Sequence, residues 1–150
     1  MPETPETLEL IGNLLHTQKL AVLSTQHHGQ PYCNLIALAA TADLKYILFA
    51  TTRATRKYAN LMADPRVALL VDNRKNEVAD FTEAAGLTAL GKVWELQGLE
   101  RQQFLKIYLE KHPYLEAFVT DPDCALLRVK VDKYIVVTRF QEVREVQIPA

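Results

Sequence analysis

"FATTRATRKYANLMADPRVALLV", Phe49 to Val71, is the stretch from which the rest of the chain can be read. An apolar run ends in Thr51 and Thr52, and Arg53, Arg56 and Lys57 follow within five positions. "TRKYANLMADP" has helical spacing, with Tyr58, Leu61 and Met62 on one side. It must stop before Pro65, whose ring disfavours helical geometry in the residue ahead of it. "RVALLV" then resumes as a strand. A helix that begins near Thr55 leaves its first N–H groups without intrahelical partners, and its dipole adds positive potential at the same point. Arg56 and Lys57 beside those donors, with the hydroxyls of Thr51, Thr52 and Thr55, have the chemistry of a phosphate site. The same spacing also fits a helix simply capped by Thr55, with its cations in solvent. The residues alone leave both readings open.

The background against which this cluster stands is neutral. The chain has 150 residues and a formal net charge of -1, with 49% apolar and 23% charged residues. That length suits one domain, residues 1–150, and that composition an ordinary soluble globular protein. No basic stripe is interleaved with aromatics, so neither nucleic acid nor a membrane surface is expected as a partner. "MPETPETLELIGNLL" lacks a basic start followed by a long apolar core, so it does not resemble a signal peptide. No apolar run approaches the roughly 20 residues that span a bilayer. The expected compartment is the cytoplasm, with Cys33 and Cys124 as free thiols. His27 and His28 fall in a turn and point to opposite sides, and no metal site is expected.

Working outward from the opening stretch, "PETLELIGNLL" places Leu8, Ile11, Leu14 and Leu15 on one helical face, with Thr4 or Thr7 as its cap. "KLAVLST" and "YCNLIALAAT" are strands around a turn centred on Gly29, and so form a hairpin. "YILFATT" is a third strand and "RVALLV" a fourth. "DNRKNEVADFTEAA" is polar and long for a hairpin loop. "GLTALGKVWEL" is a fifth strand. "LERQQFLKIYLEKH" is an amphipathic helix, and "PYLEAFV" is a short second one. "CALLRVKVDKYIVVTRF" is expected to supply a last pair of strands around a corner at "VDK". Short connections imply antiparallel pairing. The expected fold is mainly β with peripheral helices: a closed or partly closed antiparallel barrel of six to seven strands.

The ordered set Gly29-Gln30-Pro31, Thr51, Thr55-Arg56-Lys57, Asn60-Leu61 and Asp64-Pro65-Arg66-Val67 resembles the FMN-binding split-barrel superfamily. That superfamily includes the pyridoxamine 5'-phosphate oxidases and flavin-reductase-like proteins, and the resemblance implies the split form of the antiparallel barrel. The resemblance runs from about Lys19 to Val71 and is carried by the order of the elements rather than by any one of them. It implies that Arg56 and Lys57 hold the phosphate of FMN, with Thr51, beside Ala50, and Thr55 donating next to them. It implies that Asn34, Leu35, Ile36 and Ala37 lie along the isoalloxazine ring and bond it through main-chain groups. Arg74, after the fourth strand, either reaches flavin or substrate or sits in a solvated loop, and its position in the chain leaves both readings open. The resemblance also implies a homodimer in which each site draws on the partner chain.

Two departures from the pattern bear on activity. Pyridoxamine phosphate oxidases carry an arginine at the position of Asn34 and a lysine at that of Ala39, and they end in an arginine-rich motif. This chain has neither cation, and it ends "QEVREVQIPA". The expectation is therefore an FMN-dependent oxidoreductase acting on an unidentified small molecule, with a nicotinamide as a candidate electron donor. The alternative is a module of the same fold that binds flavin, deazaflavin or haem without turnover. No residue is identified as catalytic.

Overall fold

The first helix, α1 (Pro5–Thr17), starts where Thr4 accepts a hydrogen bond from the Thr7 amide at 3.1 Å, and it buries Ile11, Leu14 and Leu15. A computed structural model describes residues 4–150, so the first three residues of the N-terminal segment lie outside it. Strands β1 (Leu20–His27) and β2 (Gln30–Ala37) pair through a two-residue turn. His28 (φ 50°) and Gly29 (φ 81°) both have positive φ, which this tightest hairpin turn requires of its two central residues. Next come β3 (Ala39–Ala40), β4 (Tyr46–Thr52), α2 (Arg56–Ala63) and β5 (Arg66–Asp72). A polar loop holding the short α3 (Asp80–Glu83) leads to β6 (Ala85–Glu95). Then α4 (Gly98–Lys111), a 3-10 turn at Pro113–Leu115 and α5 (Glu116–Val119) precede β7 (Cys124–Thr138) and β8 (Glu142–Gln147).

All pairings are antiparallel, in the order β2-β1-β5-β6-β7-β4-β3, with β8 also on β7. The sheet curls into a half-barrel with its helices at the periphery. Its concave side holds Leu23, Ile36, Ile47, Phe49, Leu69, Leu87, Leu127 and Val129, closed by α1. On the convex side α4 packs Tyr108 over Leu48, Ala50 and Leu126. This explains why β7 is buried from Cys124 through Val129 without alternation: it is covered on both faces. Phe104 packs in the same layer, whereas Tyr114 and Phe118 are largely exposed.

Three elements differ from expectation. "CALLRVKVDKYIVVTRF" is one long strand, not two around a corner. Asp132 is an extra residue opposite the Leu90/Gly91 step, and the ladder to β6 resumes beyond it. Such a bulge bends a strand without ending it. It also divides the other side of β7, where β4 pairs as far as Lys130 and β8 begins at Lys133. Gly91 is required here, since a Cβ would collide with the Lys130 carbonyl oxygen. The expected second strand of that pair is instead β8, built from the tail. Finally, "YCNLIALAAT" breaks at Leu38. Its amide still bonds Lys19, but the chain then crosses to the other lip of the half-barrel and pairs with β4 as β3.

Candidate functional site

The half-barrel is open between β2 and β4, and the hydrogen-bond register says what lines the opening. His27 faces Gln30 across the two-residue turn, so in an antiparallel ladder the main-chain groups of Gln30, Tyr32, Asn34 and Ile36 point at β1. Those of Pro31, Cys33, Leu35 and Ala37 point the other way, and no strand pairs with that edge. Across the gap, β3 pairs only with Ile47 and Leu48, so β4 beyond Phe49 lacks a strand on that side too. Two unpaired backbone edges therefore lie near one another.

Asn34 stands opposite Leu23 on the inward side of β2. Its Oδ1 is buried with no hydrogen-bond partner among the described residues, while its Nδ2 reaches the Leu35 carbonyl at 3.5 Å. Leaving a buried acceptor unmatched costs about 1–3 kcal/mol, so a donor arriving in the opening would recover it.

At the mouth of the opening stands the start of α2. Thr55 is its N-cap, accepting from the Tyr58 amide at 3.2 Å. The Thr55 hydroxyl is 3.0 Å from that of Thr51, and each also reaches the Thr52 carbonyl at 3.1 Å. Both hydroxyls are thus engaged within the turn, and Thr51 is only 1% exposed. Arg56 and Lys57 occupy the first two helical positions, and no acidic residue lies in the first turn. The Arg56 guanidinium lies 5.6 Å from the Tyr32 ring centroid, which ties this helix end to β2. Burial pushes the Lys57 ammonium below its usual pKa.

The cations of this region divide cleanly. Arg53 bonds Glu95 at 2.6 Å and the Pro122 carbonyl at 2.8 Å, and Tyr58 donates to the other oxygen of Glu95 at 2.7 Å. Arg66 forks onto Asp64, holding that carboxyl at about 2. Among the described residues no carboxylate pairs with Arg56 or Lys57. Among the described residues the opening cluster of three cations is therefore one structural arginine and two charges without a carboxylate partner.

Arg74 lies elsewhere. It pairs with Asp72 at 2.9 Å and lines an open groove of about 530 Å³, together with Leu20, Val22, Leu35 and Leu70. Leu35 joins the two places, with its side chain in the groove and its main chain on the free edge. Ala50 sends its side chain into the core under α4, so only its main chain can face a ligand. Ile36, expected along the ring, instead turns its side chain into the concave core and its main chain to β1, and offers the opening neither. Sequence spacing gave no sign of Tyr32, Glu95, Tyr108 or His112, because their contacts reach across the fold.

The model of the pyridoxamine 5'-phosphate oxidase family matches residues 8–138. Among solved structures, a haem-binding protein from Mycobacterium smegmatis superposes with a TM-score of 0.84 at 14% identity, over 97% of this chain and 60% of that one. This chain therefore spans less than two thirds of that protein. A protein related to general stress protein 26 from Clostridium acetobutylicum superposes at 0.74 and 17% identity, over 97% of both chains. An FAD-binding protein from Mesorhizobium loti gives 0.70 and 17%, over 87% of this chain and 90% of that one. At such identities the likeness is one of fold. No curated protein sequence matches. Among the described residues no helix is long and apolar enough to cross a membrane.

Proposed function

Since this chain belongs to the pyridoxamine 5'-phosphate oxidase family, we propose that it binds FMN in the opening between β2 and β4 and works as a flavin-dependent oxidoreductase. One observation carries the reading. Two cations without carboxylate partners, Arg56 and Lys57, stand on a helix N-terminus at one end of an unpaired strand edge. Arg56 grips a phosphate with its fork, Lys57 adds a point charge, and the first amides of α2 complete the set. Thr51 and Thr55 hold the turn in shape from behind. Along β2, Cys33, Leu35 and Ala37 offer main-chain donors and acceptors to the polar edge of the ring, and Asn34 presents its unmatched oxygen. The donor set fits a flat heteroaromatic ring carrying a phosphate tail.

When bound, flavin supplies the hydride or electron transfer, and the chain binds and orients it. No side chain stands out as an acid or base at the free edge. A small-molecule substrate, with a nicotinamide as donor, is the reading that needs least from the protein. The exposed apolar face beside the edge supports a homodimer. With Asn34 and Ala39 in place of two cations, pyridoxamine phosphate loses its phosphate anchors, and no turnover of it is expected.

The test is the absorption spectrum of protein as purified, followed by titration of the apo form with FMN and riboflavin. A flavin spectrum and a strong preference for FMN support the clamp. Each charge-assisted bond is worth about 1.5–3 kcal/mol, so losing several means orders of magnitude in affinity. A haem or deazaflavin spectrum, or equal affinity for FMN and riboflavin, overturns it.

A further inference from the structure

The C-terminal turn of α4 makes a set of long-range contacts that the phosphate clamp leaves unexplained. Tyr108, 1% exposed, donates its hydroxyl to the Ala37 carbonyl at 3.0 Å. His112, fully buried, stands 2.7 Å from the Leu38 carbonyl through Nε2, and a carbonyl can only accept, so Nε2 carries the proton. Its Nδ1 is then the acceptor for the Tyr114 hydroxyl at 3.3 Å. Between them Lys111 Nζ donates to the carbonyls of Leu15 and Gln18, at 2.7 and 2.6 Å, at the end of α1. Three residues within five positions of one helix end, Tyr108, Lys111 and His112, thus hold the close of α1 and the residues where β2 breaks.

Ala37 is the last residue of β2, and its main-chain groups point to the free edge. The Tyr108 hydroxyl occupies the final carbonyl of that edge. The chain then turns at Leu38 to reach β4, a place where an unanchored strand end would fray or slip. A one-residue slip would exchange the groups of Leu35 for those of Asn34 along the opening.

We propose that Tyr108 and His112 are positioning residues for the flavin ring: they fix the end of β2, so that the free main-chain groups of Leu35 and the free amide of Ala37 are held in place before any ligand arrives. This rests on the flavin reading for its ligand, but the strand anchoring itself does not. The residues act through the strand and touch no phosphate, so their effect falls on the ring and not on the tail.

Tyr108→Phe removes one hydroxyl and keeps the ring in its packing, and His112→Gln keeps an amide donor without the imidazole. In the apo protein, amide hydrogen exchange is read at Leu38, which bonds Lys19, and at the interior strand residue Leu69. Exchange at Leu38 is expected to rise at least tenfold in Tyr108→Phe with Leu69 unchanged, and to rise less in His112→Gln. With ligands, Tyr108→Phe should weaken FMN and riboflavin by the same factor, about tenfold, so the ratio of the two affinities stays at the wild-type value. Lys57→Ala should instead collapse that ratio. Wild-type exchange at Leu38 in Tyr108→Phe overturns the anchoring. Faster exchange there with unchanged affinity for both flavins overturns the positioning role. If wild type binds neither flavin, the flavin reading fails and the exchange data alone decide the anchoring.

Discussion

The two halves of the convex face are built from the same residue types and have opposite fates. Over β4 and β7, Leu48 and Leu126 are fully buried because α4 lies on them. Over β1, β2 and β5, Leu20, Leu35 and Leu70 are 56%, 64% and 39% exposed, because no helix crosses there. Burial is decided by what covers a face, and a chain of this length has helices for only half of it. The uncovered half is also the half that carries the free edge of β2 and the groove at Leu35. Helix-covered sheet holds the fold, and bare sheet leaves apolar side chains and main-chain groups open to solvent.

The largest expected effect tests the covered half. Leu126→Ala should destabilise the protein by about 2–5 kcal/mol, through lost transfer energy and an unfilled cavity under α4. Leu70→Ala on the bare half should stay within about 1 kcal/mol, since much of that side chain already meets water. Urea unfolding of the two variants measures the contrast, and equal losses would mean that the bare half is covered in solution in a way that stabilises the monomer.

Next in size are the unmatched cations. Lys57→Ala and Arg56→Ala should each weaken FMN binding at least tenfold, or about 1.4 kcal/mol, and leave the unfolding midpoint of the apo protein where it is. Arg53→Ala should do the reverse, since its guanidinium is spent on Glu95 and Pro122. Wild-type titration curves for both of the first two variants would return the cluster to solvent.

Of similar size is the effect of Leu20→Lys, which places a charge on the bare face. If that face joins two copies, the dimer dissociation constant should rise at least tenfold with the monomer fold intact. Added FMN should oppose the dissociation, because a ligand touching both chains favours the dimer by mass action. Sedimentation over a dilution series, with and without FMN, reads both. A wild-type monomer that still holds FMN stoichiometrically at high dilution would refute a shared site.

The smallest effect is a pH dependence on the covered side. Burial holds the His112 imidazole below its ordinary 6.5, and Lys111 and Lys19 push the same way, while the Leu38 carbonyl opposes them. The unfolded chain takes up the proton first, so this stability is present above about pH 6.5 and is lost as the pH falls through the depressed folded value. Urea midpoints between pH 7 and 5 should fall more steeply for wild type than for His112→Gln. Parallel profiles would mean that the ring is solvated.

The antiparallel-barrel class, the order of nearly all its elements and the cationic helix start were legible in the sequence, because each is written in local spacing; the split of the barrel came only through the family resemblance. Alternation marks a strand, Pro65 ends α2 and Thr55 opens it. The tail strand β8 was not legible, since "EVREVQ" has too few apolar residues to alternate and pairs only because β7 runs on past its bulge. Nor was the division of labour among Arg53, Arg56 and Lys57. The first is claimed by Glu95, 42 positions away, and the others are left over. Likewise nothing near Leu38 in the chain announces that β2 must break there; the buried imidazole that grips it lies 74 positions on. Local sequence determined which elements form and where charge gathers, because backbone propensity, hydrophobic period and capping act over a few residues. Only the tertiary structure decided which charges are matched and which strand edge stays bare, because those depend on partners that the fold alone brings within a few ångströms.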